Sequence, residues 1–326
     1  MTDVPAPTPA PWWRRKALRW GITVFVLAAV GYFFAVTLWE NWDRIAAEHL
    51  SFDRLWVVAT IIFALAVPVT GLIWGRMLRA LDRDAKVTNV EAITVQCLSW
   101  LLKYIPGQVG SVINKVVWAA RKGISRTLVM ITFVYENVFL QLASIVPAVV
   151  ILLASLGPEI FGANVTLLVV PLLVLVPLVL VVYKPFFHRI VSIPARHALK
   201  QDVPREYFLS SFQSLRFFVE FLFPRGLNGA GFVMIAATVS SVGPGEWAPF
   251  AAAYVLAGAI GILAFFVPSG LGVREAIIVL ILSQYIPVAE AIVISLLARL
   301  FSTIGDALIA LIYLLARRTI PKEHRP

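Results

Sequence analysis

The sequence predicts an all-α, polytopic membrane protein with about six full spans and two re-entrant hairpins set as inverted repeats. Three observations carry that reading. Apolar residues make up 60% of the 326 and charged residues 14%, with a mean hydropathy of +0.86, a balance that excludes a soluble domain. Basic residues gather at the ends of apolar runs, many of which reach the roughly 20 residues needed to cross a bilayer core. One apolar run in each half is also interrupted by proline and glycine. The net charge of +10 fits basic cytoplasmic loops better than nucleic acid, because the Lys and Arg residues form no basic aromatic face. Cys97 is the one cysteine, which excludes an intrachain disulfide and a cysteine zinc site. His49, His188, His197 and His324 fall in predicted loops or tails, so neither a metal nor another cofactor is expected.

Taken in order, residues 1–17 form a cytoplasmic tail that opens rich in proline and alanine. Arg14, Arg15, Lys16 and Arg19 flank an apolar segment at 18–39, too long for a signal peptide and lacking a small-residue cleavage site. It reads as a signal anchor, the start of a single membrane domain at 18–317. Residues 40–54 carry four acids against two bases, as an outer loop should. The span at 55–74 returns to Arg76, Arg79, Arg83 and Lys86. Arms at 90–104 and 108–120 follow, each roughly 20 Å long and short of the roughly 30 Å core. Arg121, Lys122 and Arg126 put both ends of this pair on the cytoplasmic side. Two full spans would give the same parity; length favours a hairpin. Spans at 127–153 and 163–183 lead to a basic linker, an interfacial helix at 207–223, and a crossing at 226–242. The second hairpin, 248–284, then dips from the outer face, and 289–316 returns to Arg317, Arg318 and Lys322, leaving 318–326 as a cytoplasmic tail.

The interruptions read Lys103-Tyr104-Ile105-Pro106-Gly107-Gln108-Val109-Gly110 and Val267-Pro268-Ser269-Gly270-Leu271-Gly272-Val273-Arg274-Glu275. At an offset of 162 (268 − 106), Pro106 meets Pro268 and Gly110 meets Gly272. Proline lacks an N–H and clashes with the preceding turn, so each copy breaks a helix. Entry from opposite sides makes 55–153 and 207–316 inverted repeats, whose broken helices point to a transporter-type binding site.

With these two breaks in order, Tyr135-Glu136-Asn137 on one later helix and Ala298-Arg299-Leu300 on the last, the chain resembles the lysylphosphatidylglycerol synthase/flippase-like transmembrane family from about residue 20 to 317. The resemblance implies a membrane domain that flips or exports lipids, hopanoids or lipid-linked sugars. In the family the second break has two glycines after the proline. Here the first is Ser269, whose hydroxyl either adds a donor or is simply tolerated. Aminoacyl transfer in family members belongs to a large soluble C-terminal domain, and few residues follow the last predicted span here, so an enzyme is not expected.

The candidate site is built from ionisable and polar groups at membrane depth. Glu136 and Arg299 both fall near mid-span, where a charge costs about 2.5–3.5 kcal/mol even on the gentlest scale. Mutual pairing is the expected solution, either as a structural lock or as the lining of a substrate path. Asn137 extends the Glu136 face, while Asp306 extends the Arg299 face. Arg274 either faces an anion or neutralises Glu275. Lys103 reaches the cytoplasmic interface or a headgroup. Half-helices starting near Gln108 and Gly270, after Pro106-Gly107 and Ser269, would offer N–H groups to a phosphate, with Gly110 and Gly272 shaping the turns. The expected partner is a membrane lipid: an anionic phospholipid, a hopanoid or a polyprenyl-linked sugar. The expected function is its transfer between leaflets of a bacterial-type inner membrane. The alternative is a non-transporting scaffold for a lipid-modifying or glycosyl-transferring enzyme. A homo-oligomer, or a lipid-synthesis enzyme as partner, is compatible with either.

Overall fold

The computed structural model describes residues 39, 53–82, 84–104, 109–157, 166–199, 203–263 and 272–321. The chain divides into two compact units, Met1–Ala47 and Glu48–Pro326. Of the first only Trp39 is described, so the predicted span at 18–39 otherwise lies outside the described residues. Among its described residues the second unit consists of helices joined by turns and short loops, with no strand.

Helix α1 (Arg54–Leu81) starts where the Asp53 carboxylate accepts the Leu55 N–H at 2.8 Å, which satisfies one of the orphan donors of the first turn. Its last turn holds Arg79, whose guanidinium donates to the Val87 carbonyl and to Asn89 Oδ1, fixing the turn into α2 (Asn89–Leu101). Thr88 and Glu91 form a reciprocal cap on α2. A 3₁₀ turn, Leu102–Tyr104, leads into residues 105–108, which lie outside the described residues, and α3 (Val109–Arg121) follows. Gly123, at φ +70°, turns the chain into α4 (Arg126–Leu156). Helix α5 (Thr166–Val182) bends by 91° at Tyr183 into α6 (Lys184–Leu199). Then come α7 (Ser211–Ala236), α8 (Trp247–Leu263), α9 (Val273–Leu282) and α10 (Val288–Arg318). The arms expected around the two breaks are therefore helices, while both tips (105–108 and 264–271) lie outside the described residues.

Among the described residues, α1, α4 and α10 are long and apolar enough to cross a membrane, and α5 with α6 adds a fourth candidate if the bent pair is one span. Their outer faces are apolar: Val57, Ile61 and Leu65 on α1, Met130 and Val150 on α4, and Ile304 and Leu311 on α10 are all exposed. A continuous surface of that kind suits lipid rather than water. One expectation is corrected. The interfacial helix at 207–223 and the crossing at 226–242 are a single helix, α7, that runs through Pro224. Proline removes one backbone hydrogen bond, but α7 packs along α1, α4 and α8, and Pro224 itself is buried. Gly229 and Gly231 permit that approach: an added Cβ would lie 2.8 Å from Ala251 Cβ in one case and 3.1 Å from the Phe63 ring in the other.

Packing follows a pattern. Helix α2 contacts α1, α3 and α10, while α8 contacts α7, α9 and α4. Helix α4 contacts α1, α3 and α7, while α10 contacts α7, α9 and α1; α1 and α7 pack on each other. Exchanging α1–α4 for α7–α10 maps this set of contacts onto itself. Two large apolar clusters result, with a smaller one of Ala64, Val67, Cys97 and Ile309. Trp74, Trp118, Phe139 and Phe221 belong to one of the large pair, and Phe63, Ile145, Phe232 and Tyr254 to the other. Helices α1, α4 and α7 each run from one cluster into the other. On α4 the change falls between Ala143 and Ile145, and on α7 between Phe221 and Phe232.

Candidate functional site: a charged interior built by both helix sets

Glu136 does not take Arg299 as its counterion. Its Oε2 accepts from Lys115 Nζ on α3, and its Oε1 accepts from Gln96 Nε2 on α2 at 2.7 Å. Lys115 is 1% exposed and Glu136 3%. The ammonium also sits 4.2 Å from the centroid of the Trp74 ring, whose indole N–H donates to Thr132 Oγ1. A close turn at 122–125 sets α3 against α4, so α3 supplies the nearest cation. Asn137 donates to the Phe133 carbonyl of its own helix at 2.8 Å rather than reaching a neighbour.

Lys103, directly before the first break, binds across to α10. Its Nζ lies 2.8 Å from Asp306 Oδ2 and 2.9 Å from Oδ1, and over the Trp100 ring. Trp100 Nε1 donates to the same carboxylate at 2.8 Å. The interfacial reach expected of Lys103 is thus replaced by a bridge between the two helix sets.

Beyond the second break, Gly272 takes φ +78° and its N–H donates to Glu275 Oε2 at 2.8 Å. Glu275 Oε1 lies 3.6 Å from Arg299 Nη1. The two alternatives for Arg274 are thereby separated: both oxygens of Glu275 face other groups, and Arg274 lies over the Tyr254 ring, 5.2 Å from its centroid. Lys103 is within electrostatic range of both Arg274 and Arg299. Of the small hydroxyls near Arg299, Ser295 donates to the Ile292 carbonyl and Ser302 to the Arg299 carbonyl. Both are satisfied by their own helix.

Sequence reasoning missed Arg225. It was placed ahead of a crossing, whereas it sits within α7, half-buried, donating Nε–H to the Leu140 carbonyl of α4 at 3.1 Å. It lies within electrostatic range of Arg274 and Tyr254. Next to Leu140, Gln141 donates to the Ala259 carbonyl at 3.3 Å, and its own Oε1 has no hydrogen-bond partner among the described residues. Of the predicted site residues, Pro106, Gly107, Gln108, Ser269 and Gly270 lie outside the described residues. Gly110 is buried in the first turn of α3.

Lys103, Lys115, Arg225, Arg274 and Arg299 face Glu136, Glu275 and Asp306, five cations against three carboxylates and so an excess of two (5 − 3). An all-helical membrane protein with a polar, cation-rich interior is the class that fold and site define. Within that class, residues 20–310 match the family described as the lysylphosphatidylglycerol synthase TM region, and the chain belongs to it. The family is linked to membrane lipid handling. A comparison with curated proteins gives no match.

Proposed function

We propose that the chain is a transporter that moves an anionic lipid or lipid-linked headgroup between leaflets, and not an enzyme. The observation that carries this reading is the cationic excess, drawn from both helix sets: Lys103 from the first, and Arg225, Arg274 and Arg299 from the second. A phosphate entering such an interior gains charge-assisted hydrogen bonds, while its tails stay in the bilayer. The exchange symmetry of the packing supports reading α1–α4 and α7–α10 as inverted repeats with α2–α3 and α8–α9 as re-entrant hairpins. Rocking of one set against the other would then alternate access to the headgroup. Basic residues at the ends of α1 and α10 support cytoplasmic termini in a bacterial-type inner membrane.

Reconstitution into vesicles carrying leaflet-specific reporters of an anionic phospholipid tests the proposal. The expected outcome is protein-dependent equilibration, lost in Arg274→Gln. Equilibration no faster than in protein-free vesicles, for anionic and polyprenyl-linked reporters alike, overturns it.

A further inference from the structure

We propose that Arg225 and Arg274 form the anion-binding position, and that they select a lipid headgroup phosphate carrying two negative charges over a singly charged phosphodiester. The inference rests on the transport reading and names its substrate class.

The interior charges sort themselves. Lys115 has Glu136, Lys103 has Asp306, and Arg299 has Glu275. Among the described residues no carboxylate pairs with Arg225 or Arg274. Arg225 spends its Nε–H on a neutral carbonyl, that of Leu140, which orients the guanidinium and leaves the two terminal nitrogens. Arg274 rests on an aromatic face. Two half-buried guanidinium groups in range of one another repel, and the arrangement favours an anion that neutralises both. A monoester or diphosphate does so, whereas a phosphodiester leaves one cation uncompensated. The depth fits a headgroup in transit, because Leu140 and Arg225 sit close to where α4 and α7 pass from one apolar cluster to the other. Access fits as well: both arginines are only half-buried. Gly258 of α8 borders the position, since a Cβ there would lie 4.0 Å from Arg274 Nη2. On this account Arg299, which sequence alone made the phosphate ligand, positions the start of α9 through Glu275 instead.

The test is calorimetric binding to the full chain in phosphatidylcholine nanodiscs at pH 8. The probes are short-chain phosphatidate, short-chain phosphatidylglycerol and inorganic phosphate. Phosphatidate is expected to bind about tenfold more tightly than phosphatidylglycerol. Arg225→Gln and Arg274→Gln each erase that preference, and Arg225→Lys keeps part of it. A preference that survives both Gln variants overturns the assignment. Inorganic phosphate binding as tightly as phosphatidate overturns its lipid part. If Arg225→Gln does not fold, Arg274→Gln decides alone, because Arg274 holds no backbone acceptor among the described residues. Binding and flipping separate the two claims. Preference without flipping retires the transport reading and keeps the site, and flipping without preference does the reverse.

Discussion

At the scale of single residues, the most consequential contact is Lys115 with Glu136, because both groups are almost fully buried. Removing one partner leaves the other charged and dry, at about 3–5 kcal/mol, while removing both can be nearly neutral. Glu136→Gln and Lys115→Met are each expected to lower stability by that amount, and the double variant to recover most of it; chemical unfolding in detergent measures all four proteins. Because the pair is sealed, flipping should recover with stability in the double variant, which distinguishes it from Arg274→Gln. Glu91 gives a pH-dependent counterpart at the base of the first hairpin. Burial pushes its carboxyl up, but hydrogen bonds from Lys122 and Thr88 and the Lys122 charge outweigh that and hold it below the ordinary carboxylate range. A lowered folded-state pKa stabilises above the unfolded value and stops stabilising as pH falls through the folded one. The stability gap between wild type and Glu91→Gln should therefore be full at pH 7 and close as pH falls below the ordinary carboxylate range, as thermal melts across pH would record. Sequence marked Glu136, Arg274, Arg299 and Asp306 because a charge in an apolar run is conspicuous. It missed their partners because pairing depends on which helices touch. Lys115 left one usable signal, as the only charge between Lys103 and Arg121.

At the scale of elements, the helices on either side of the first break were legible and α7 was not. Proline, glycine and flanking charges delimited arms at 90–104 and 108–120, against Asn89–Leu101 with its 3₁₀ turn and Val109–Arg121. The same signals misled at Pro224-Arg225-Gly226, a triplet with the composition of a loop that packing holds helical. The short arms support re-entry rather than two crossings, and cysteine labelling tests it. In a Cys97→Ser background, single cysteines at Gln108 and Gly270 should label from outside far less than one at Ala46. Equal labelling at Gln108 and Ala46 would replace the first hairpin with two spans. The contact of α1 with α2 is the tightest glycine packing here: a Cβ at Gly75 would lie 2.6 Å from Ala92 Cβ, and one at Gly71 2.8 Å from Gln96 Cβ. Gly75→Leu should cost about 1–3 kcal/mol through overpacking, measurable by the same unfolding assay. Gly71→Leu carries a further expectation, because Gln96 also holds Glu136. It should impair the buried pair as well as the helix contact.

At the scale of the whole molecule, the two helix sets meet through α1 on α7, α1 on α10 and α4 on α7, and through two matching seams, α2 on α10 and α8 on α4. Lys103–Asp306 lies on the first of these seams, and the Gln141 contact to Ala259 on the second. The seams differ in kind. One carries a full ion pair with an indole donor on the same carboxylate, the other a neutral hydrogen bond with an amide oxygen unpartnered among the described residues. If the sets rock to alternate access, the ion-paired seam is the one whose opening must be offset elsewhere, and Lys103 and Asp306 must separate once per cycle. A tether between those positions should then stop transport without unfolding the protein. In a Cys97→Ser background, Lys103→Cys/Asp306→Cys joined by a short thiol-reactive bridge is expected to hold its melting temperature and lose flipping. The same double variant left unbridged, or treated with a monofunctional reagent, controls for loss of the ion pair itself. Bridged protein that still flips lipid as fast as the unbridged variant would mean that this seam stays closed throughout, and that the moving parts lie within one set.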